Sequence, residues 1–478
     1  MIKLHHDQQK NIIPVILAGG TGMRLWPISR PDLPKQFQSI IGEHTLFQQT
    51  VLRLDAIGLS NAPIVMTNTE HLHLVTKQLI EIGFYDVEII CEPACRDTAP
   101  AILIAAMTAF KRDPHSTILT LPSDHRIHKV NSLAAALTNG SRDEKSLVAF
   151  GIKPENPATG YGYIKYDPHT DSLLKNIVAF DEKPNLETAE LYLNEGGYLW
   201  NSGMYLFSSV VLIDQMQKID PGLTHFCRAA IFKGKSQEEI FYLDNRSYEK
   251  AKKISIDHAL MEKTTIAKVL EISPQWNDVG SWAGVWECSD QDDNGNVTLG
   301  NVVSSNSQNC YIRSDNKLTA VLGLKNLIVV TMDDAVLIAD KSEASNLKTL
   351  VSKLKEKKCK EIVAHSSVVR PWGKYKTIND GDNFQVKHIR VEPGQTLSLQ
   401  YHHHRSEHWT IVSGMADVTV GSEEQTLKPN DAVYIPIEAI HRISNPYDEP
   451  VELIEVQCGT YLGEDDIVRL EDEYGRIN

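Results

Sequence analysis

Apolar residues in the first part of this chain alternate between two textures. Pro14-Val15-Ile16-Leu17-Ala18, Ala62-Pro63-Ile64-Val65-Met66 and Ser116-Thr117-Ile118-Leu119-Thr120-Leu121 are short continuous runs that predict buried strands. Before the last of them, Ile102-Leu103-Ile104-Ala105-Ala106-Met107 supplies the apolar face of a helix predicted over Thr98 to Lys111. Asp97 stands where a cap is needed, and Pro100 sits in the first turn. Alternation of this kind predicts a mixed, mostly parallel sheet flanked by helices over residues 1–290. The acidic, turn-rich stretch from Ser289 to Asn296 then breaks the pattern. Short strands follow at Tyr311-Ile312, Leu318 to Val321, Leu327 to Val330 and Ala335 to Ile338, which predict a small β-module. Leu347, Leu350, Val351 and Leu354 fall at helical spacing and predict a connecting helix from Ser342 to Lys358. From about Arg370 only strand and turn patterns remain, which suits a β-barrel or jelly roll. The expected domains are therefore 1–290, 291–360 and 361–478.

Composition narrows the class. The formal net charge is −14, which argues against gripping nucleic acid or an anionic membrane. No apolar run approaches the roughly 18 residues of a transmembrane helix. The first apolar stretch, Ile12 to Ala18, runs straight into glycines rather than a signal-peptide cleavage site. Seven cysteines with no CxxC pair fit a reducing cytoplasm better than a disulfide framework. Five of the 18 histidines, His402, His403, His404, His408 and His441, crowd near the C-terminus.

The loop Leu17-Ala18-Gly19-Gly20-Thr21-Gly22-Met23-Arg24 follows a predicted strand directly. Its glycines let backbone N–H groups approach phosphate oxygens, and Arg24 adds a fixed positive fork. No Gly-Lys-Ser/Thr follows, and Leu25 stands where a dinucleotide fingerprint needs its third glycine. Leu25-Trp26-Pro27 and Leu33-Pro34-Lys35-Gln36-Phe37 complete a pattern that resembles the sugar-1-phosphate nucleotidyltransferases. Glu92-Pro93-Ala94-Cys95-Arg96-Asp97-Thr98-Ala99-Pro100-Ala101 is similar to a segment of the mannose-1-phosphate guanylyltransferases, with Asp97 in place of the usual Asn. Thr159 to Ile164, Phe180 to Pro184 and Trp200 to Met204 match that family's sugar-binding segments. The resemblance implies a Rossmann-like domain that binds GTP through Leu17 to Arg24 and Lys35. It implies a sugar-phosphate site at Gly162, Glu182, Lys183 and Asn201. A sugar phosphate attacking the α-phosphate of a nucleoside triphosphate sets anion upon anion, so Mg²⁺ and fixed cations are needed. Asp124, in Leu121-Pro122-Ser123-Asp124-His125, and Asp278, in Trp276-Asn277-Asp278, are the metal candidates. Arg24, Lys35 and Lys183 are the cationic ones.

Near the C-terminus, Gly394, Gln400, His402, Glu407 and Gly414 fall at the spacing of the first cupin motif, with Gln400 in place of its first histidine. Asn430, Pro436, Glu438, His441 and Asn445 follow the second motif, with Asn430 and Glu438 at glycine positions. The resemblance implies a divalent metal, Zn²⁺ or another such as Co²⁺ or Mn²⁺, on Gln400, His402, Glu407 and His441. Read as one strand, Gln400 to Trp409 places Gln400, His402 and His404 on one face. With Arg370-Pro371-Trp372-Gly373 upstream, the run looks like the isomerase half of the bifunctional bacterial mannose-1-phosphate guanylyltransferase/mannose-6-phosphate isomerase family. Isomerisation between mannose 6-phosphate and fructose 6-phosphate needs a base that reaches C1 and C2. His404 and His408 are both candidates, and Arg405 is expected to bind the 6-phosphate or to stabilise the enediolate. The resemblance adds mannose 1-phosphate as the transferase's second substrate, and a homo-oligomer is expected.

Overall fold

In a computed structural model, which describes residues 11–20, 22–140, 145–170, 172–237 and 239–472, the predicted strands enter one eleven-stranded sheet. Thr21 of the glycine loop lies outside the described residues. Ile240–Tyr242, Glu88–Glu92, Ile64–Asn68, Ile12–Leu17 and Thr117–Pro122 lie side by side and parallel. Tyr198–Ser208 then runs antiparallel between Thr117–Pro122 and Leu147–Ile152. Ala267–Ile272 is parallel to Leu147–Ile152, and Leu174–Glu182 with Gly162–Tyr166 forms an antiparallel edge. The sheet is mixed, with its parallel pairs concentrated in the half that carries the glycine loop.

Ile12–Leu17 is buried nearly throughout, as a strand covered on both faces must be. The predicted helix spans Thr98–Arg112, and the Asp97 carboxylate accepts from Thr98 N–H at its start. Its Ile102, Leu103 and Ile104 join the same core as Val15 and Ile118. Register sets the site. Leu17 pairs with Pro122, so the glycine loop and Asp124 leave adjacent parallel strands at their carboxyl ends.

Residues Val297–Ser305, Tyr311–Leu322 and Leu327–Thr331 stack as parallel strands, and Val336–Asp340 pairs antiparallel to the last. The two short strands expected at 311–312 and 318–321 are one strand of 12 residues. This module shares a core with the first domain through Leu25, Trp26, Val279, Trp282, Tyr311 and Ile328. The fully buried Arg30 guanidinium also spans the two, donating to both Asp334 carboxylate oxygens at 2.7 and 2.6 Å. The helix expected from Ser342 to Lys358 is shorter. A 3₁₀ segment, Lys341–Asn346, precedes an α-helix over Leu347–Glu356. Asp340 caps Ser342, and the Ser- and Asn-containing sequence favours that tight turn over an α-helix.

The chain divides into two compact units after Ile362. The second is a jelly roll of antiparallel strands, one sheet of six and one of five. Between the sheets lie Trp372, Trp409, Ile411, Val418, Ile443 and Leu453. Asn430 and Glu438 take φ of 74° and 63°, the left-handed backbone that a glycine otherwise supplies. The run Gln400 to Trp409 is not one strand. Leu399–His402 belongs to the five-stranded sheet and Arg405–Ser413 to the six-stranded one, so the chain changes sheets at His403-His404.

Candidate functional site

The glycine loop borders a cavity of about 450 Å³, lined by Leu17, Gly19, Gly20, Gln36, Glu92 and Asp124 among others. Gln36 fixes the loop by donating from Nε2 to the carbonyls of Ala18 and Gly20, at 3.3 and 2.6 Å. Beside it, the buried Lys35 ammonium lies 3.0 Å from Asp124 Oδ2 and donates to the carbonyl of Asp278 at 2.7 Å. One cation therefore joins two loops that are 154 positions apart in sequence. Arg24 Nη1 approaches Asp278 Oδ2 at 3.8 Å. Burial pushes the Asp124 carboxyl up, but Lys35 and His125 outweigh burial and bring it down to about 2. The Trp276 indole donates to His125 Nδ1 at 3.1 Å. That leaves the His125 proton on Nε2, which faces Asp124 Oδ1 at 3.6 Å. Asp278 Oδ1 accepts from Gly280 N–H at 2.9 Å and from the Tyr161 hydroxyl at 3.3 Å. Asp124 and Asp278 thus bring carboxylate oxygens beside the loop, the donor type for a hard cation that completes its shell with water and phosphate oxygens.

The sugar-segment residues converge. Gly162 pairs with Glu182 across neighbouring strands. A Cβ on Gly162 would stand 2.5 Å from Glu182 Oε2 and 3.4 Å from Asn201 Cβ, so the glycine makes room for both. Asn201 Nδ2 donates to Asp257 Oδ1 at 2.9 Å, and the Tyr205 hydroxyl donates to the same oxygen. Lys183 has φ of 53°, is exposed and pairs with the Glu182 carboxylate. Tyr161 packs against Trp200 and Trp276, with ring centroids 5.0 and 4.9 Å away, and so connects the sugar segment to Asp278.

In the second unit, His402, Glu407 and His441 are almost completely buried, and one ligand atom from each lies within 4.8 Å of the others. His441 Nδ1 donates to the carbonyl of Ala439 at 2.8 Å, so its Nε2 carries a lone pair. That Nε2 and both ring nitrogens of His402 have no hydrogen-bond partner. His402 Nε2 lies 3.0 Å from Glu407 Oε1 but outside hydrogen-bonding geometry. Buried lone pairs left open beside a carboxylate are what a metal ion satisfies, so the residues fit one. Gln400 pairs with His441 across neighbouring strands, and its side-chain oxygen accepts from Ser398 Oγ at 2.8 Å. Burial opposes ionisation of Glu407, but His402, His441 and Arg405 hold it well below the usual carboxylate range. Trp409 and Gln457 donate to Glu407 at 3.1 and 3.0 Å. A small cavity of about 60 Å³ adjoins, lined by Arg370, Lys387, Gln400, Arg405, Glu407 and Arg469 among others.

Residues 13–295 match the nucleotidyl transferase family. Residues 300–354 match the MannoseP isomerase/GMP-like beta-helix domain, and 357–472 the mannose-6-phosphate isomerase C-terminal family. The chain is 44% identical over 468 residues to the xanthan biosynthesis protein XanB of Xanthomonas campestris pv. campestris (strain B100), covering 98% of this chain and 99% of that protein. It is 40% identical over 477 residues to the mannose-1-phosphate guanylyltransferase of Escherichia coli (strain K12), covering 98% and 100%. The chain belongs to the bifunctional mannose-1-phosphate guanylyltransferase/mannose-6-phosphate isomerase family. A crystal structure of a mannose-1-phosphate geranyltransferase from Thermus thermophilus covers 72% of this chain and 99% of its own, with 28% identity and a TM-score of 0.63.

Several expected site residues make other contacts in the structure. Ala18 is buried just past the end of Ile12–Leu17 and donates its N–H to the Met66 carbonyl, and Met23 packs on the β-module core. His408 is on the outward face of Arg405–Ser413, opposite the buried Arg405, Glu407 and Trp409, and its ring packs 4.6 Å from that of Tyr434. Strand alternation therefore turns it away from Glu407, which corrects its candidacy as the base. His404 leaves the face of Gln400 and His402 because the chain turns there, and its Nδ1 lies 2.6 Å from Asp466 Oδ1. Arg405 is buried, with Nε 3.2 Å from Glu407 Oε1 and Nη1 2.9 Å from the Gly463 carbonyl. The motifs did not point to Asp257, Tyr205 or Asp466. Each acts through a fold-made contact with a motif residue, and an isolated Asp or Tyr carries no spacing signal. Among the described residues no helix is long and apolar enough to cross a membrane.

Proposed function

We infer that the first unit makes GDP-mannose and pyrophosphate from GTP and mannose 1-phosphate, and that the second interconverts mannose 6-phosphate and fructose 6-phosphate. In the transfer, an oxygen of mannose 1-phosphate bonds to the α-phosphorus of GTP and the bond to the β-phosphate breaks. The glycine loop and Arg24 bind the triphosphate, and Lys35 balances charge at the α-phosphate. Asp124 and Asp278 would hold Mg²⁺, which supplies further positive charge to the phosphates when bound. Glu182 and Asn201 orient sugar hydroxyls from opposite sides of Gly162, and Lys183 takes the sugar phosphate.

The observation that carries the second activity is the buried set of unpartnered imidazole nitrogens beside Glu407. Gln400, His402, Glu407 and His441 would hold Zn²⁺, Co²⁺ or Mn²⁺, which draws electron density from the substrate's carbonyl when bound. His404 is the remaining base candidate. Its Nδ1–H donates to Asp466, which leaves Nε2 to take the proton from C1 or C2. Arg405, with Arg370 and Lys387, suits the 6-phosphate. Moving phosphate from C6 to C1 belongs to a separate mutase. The cysteine pattern suits an enzyme of the cytoplasm. Both half-reactions assayed on one purified sample test the reading. Asp124→Asn should cut GDP-mannose formation at least a hundredfold and spare isomerisation, and His441→Ala should do the reverse. Undiminished GDP-mannose synthesis by Asp124→Asn would remove the metal role given to Asp124.

A further inference from the structure

One edge of the eleven-stranded sheet is open. Lys235–Gln237 is the outermost strand there, and among the described residues nothing pairs with its outer side. It forms a hairpin with Ile240–Tyr242, joined by a connection of two residues. Such a hairpin closes on a hydrogen-bonded pair, here Gln237 and Ile240, and the ladder alternates from there. Ser236 and Phe241 are therefore a non-bonded pair, and the N–H and C=O of Ser236 point away from the hairpin, toward the free edge. An edge of this kind templates further pairing unless something covers it.

The surface beside that edge is apolar. A cavity of about 920 Å³ is lined by Ser236, Ile240 and Phe241 of the hairpin and by Phe110, Val210 and Phe232 of the covering helices. Phe232 is 88% exposed, at the end of helix Pro221–Phe232 and just before the strand. A large ring in water, beside an open edge and an apolar cavity, marks an interface. The charges flanking the strand say which partner fits. In Phe232-Lys233-Gly234-Lys235-Ser236-Gln237-Glu238-Glu239-Ile240 both lysines precede Ser236 and both glutamates follow it. Laid antiparallel on a second copy about Ser236, the end that carries Lys233 faces the end that carries Glu239, and Phe232 faces Ile240. A parallel pairing would set lysine beside lysine.

We propose that this edge is a two-fold interface with a second copy of this chain, in which the two Lys235–Gln237 strands pair antiparallel about Ser236. The two Ser236 residues exchange N–H···O=C bonds, and the sheets of both copies join into one. Each Phe232 packs at the hairpin end of the other copy, where Ile240 lines the cavity. A strand of three residues is too short to hold a dimer alone. The apolar surface of the helices supplies the rest of the roughly 800 Å² per partner that a stable interface needs. The contact is isologous, so through this surface association closes at two copies. Lysine on an edge ordinarily blunts pairing. Here it selects a single partner, the same strand run in the opposite direction.

Sedimentation velocity of the full chain over a concentration series tests this. The wild type should associate to a dimer, or to an even multiple if another surface also self-associates. Ser236→Pro removes the outward N–H of each copy and no bond of the hairpin itself. It should weaken this association about 10- to 100-fold, because the symmetry loses two hydrogen bonds at once. Phe232→Asp acts on a side chain already in water, leaves the strand untouched and should weaken association at least tenfold by about the same reasoning on apolar burial. Lys233→Glu should raise the dissociation constant about tenfold, and adding Glu239→Lys should return it to within about threefold of the wild type. A double reversal that fails to restore association would overturn the antiparallel register. A wild type that stays monomeric at every concentration would overturn the interface and leave the edge to a different occupant. Association unchanged in both Ser236→Pro and Phe232→Asp would also overturn it, and would assign self-association to another surface.

Discussion

Glu92 makes a prediction about stability that needs no ligand. Burial pushes its carboxyl from the ordinary 4.5 up to about 7, against the opposing Tyr248 hydrogen bond. Between those values the folded protein holds a proton at Glu92 that the unfolded chain has released. Stability is therefore full below pH 4.5 and falls as pH rises toward 7. At about 1.36 kcal/mol per pH unit, the loss is about 3 kcal/mol. Glu92→Gln removes the titration and keeps the shape. Relative to the wild type, the variant should gain about 3 kcal/mol between pH 5 and pH 8. With an m-value of about 3 kcal/mol/M, that is a shift of about 1 M in the urea midpoint. The assay is urea unfolding of the first unit, followed by tryptophan fluorescence at pH 5, 6, 7 and 8 for both proteins. Subtracting one curve from the other cancels every other titrating group. A difference that stays flat across this range would refute the argument, whatever the absolute stabilities. Tyr248→Phe adds a second arm. Losing the hydroxyl that favours the ionised form should extend the wild-type slope to higher pH.

Three further outcomes follow from other contacts. Dialysis against a chelator should abolish isomerisation, spare GDP-mannose synthesis after Mg²⁺ is restored, and lower the unfolding temperature of the second unit. Refilling to 100 times the dissociation constant should restore about 2.7 kcal/mol, and a second unit whose melting ignores chelator would count against the metal site. Asp334→Ala leaves the fully buried Arg30 without its bidentate partner. It should destabilise the first unit by about 3 kcal/mol, and an unmoved urea midpoint would show that the pair contributes nothing. Gly162→Ala sets a methyl 2.5 Å from Glu182 Oε2, so KM for mannose 1-phosphate should rise about tenfold with KM for GTP unchanged. Equal effects on both substrates would place Gly162 outside the sugar site.

What the sequence made legible was local. A glycine loop after an apolar run, an aspartate at a strand end and histidines at fixed spacing all carry their meaning within a few residues. The sheet placed Gly19, Gly20 and Asp124 side by side because Leu17 and Pro122 share a register, which apolar patterning did not reveal. The illegible part was which distant group satisfies which. Lys35 was visible as a cation, but its bond to the carbonyl of Asp278 joins positions 243 apart. Gln400 to Trp409 reads as one strand, because nothing in three consecutive histidines marks a turn. What turns them is Asp466, which accepts from the backbone N–H of both His403 and His404. Asn430 and Glu438, read at glycine positions of the motif, keep the left-handed backbone that glycine would supply.

The same long-range pairing explains how a chain of net charge −14 can serve two phosphorylated substrates. Its long-range field repels anions, so recognition has to be local. In both units the cations nearest the site are already paired with carboxylates: Lys35 with Asp124, Arg24 with Asp278, Arg405 with Glu407 and Lys387 with Glu464. A cation buried without a partner would cost several kcal/mol on folding, and the carboxylates offset that cost before any substrate arrives. On the proposed reading an entering phosphate would take over the cation, and Asp124, Asp278 or Glu407 would then be free to hold a divalent ion. Pairing cations with acids would therefore let one set of residues stabilise the empty fold and bind phosphate with metal.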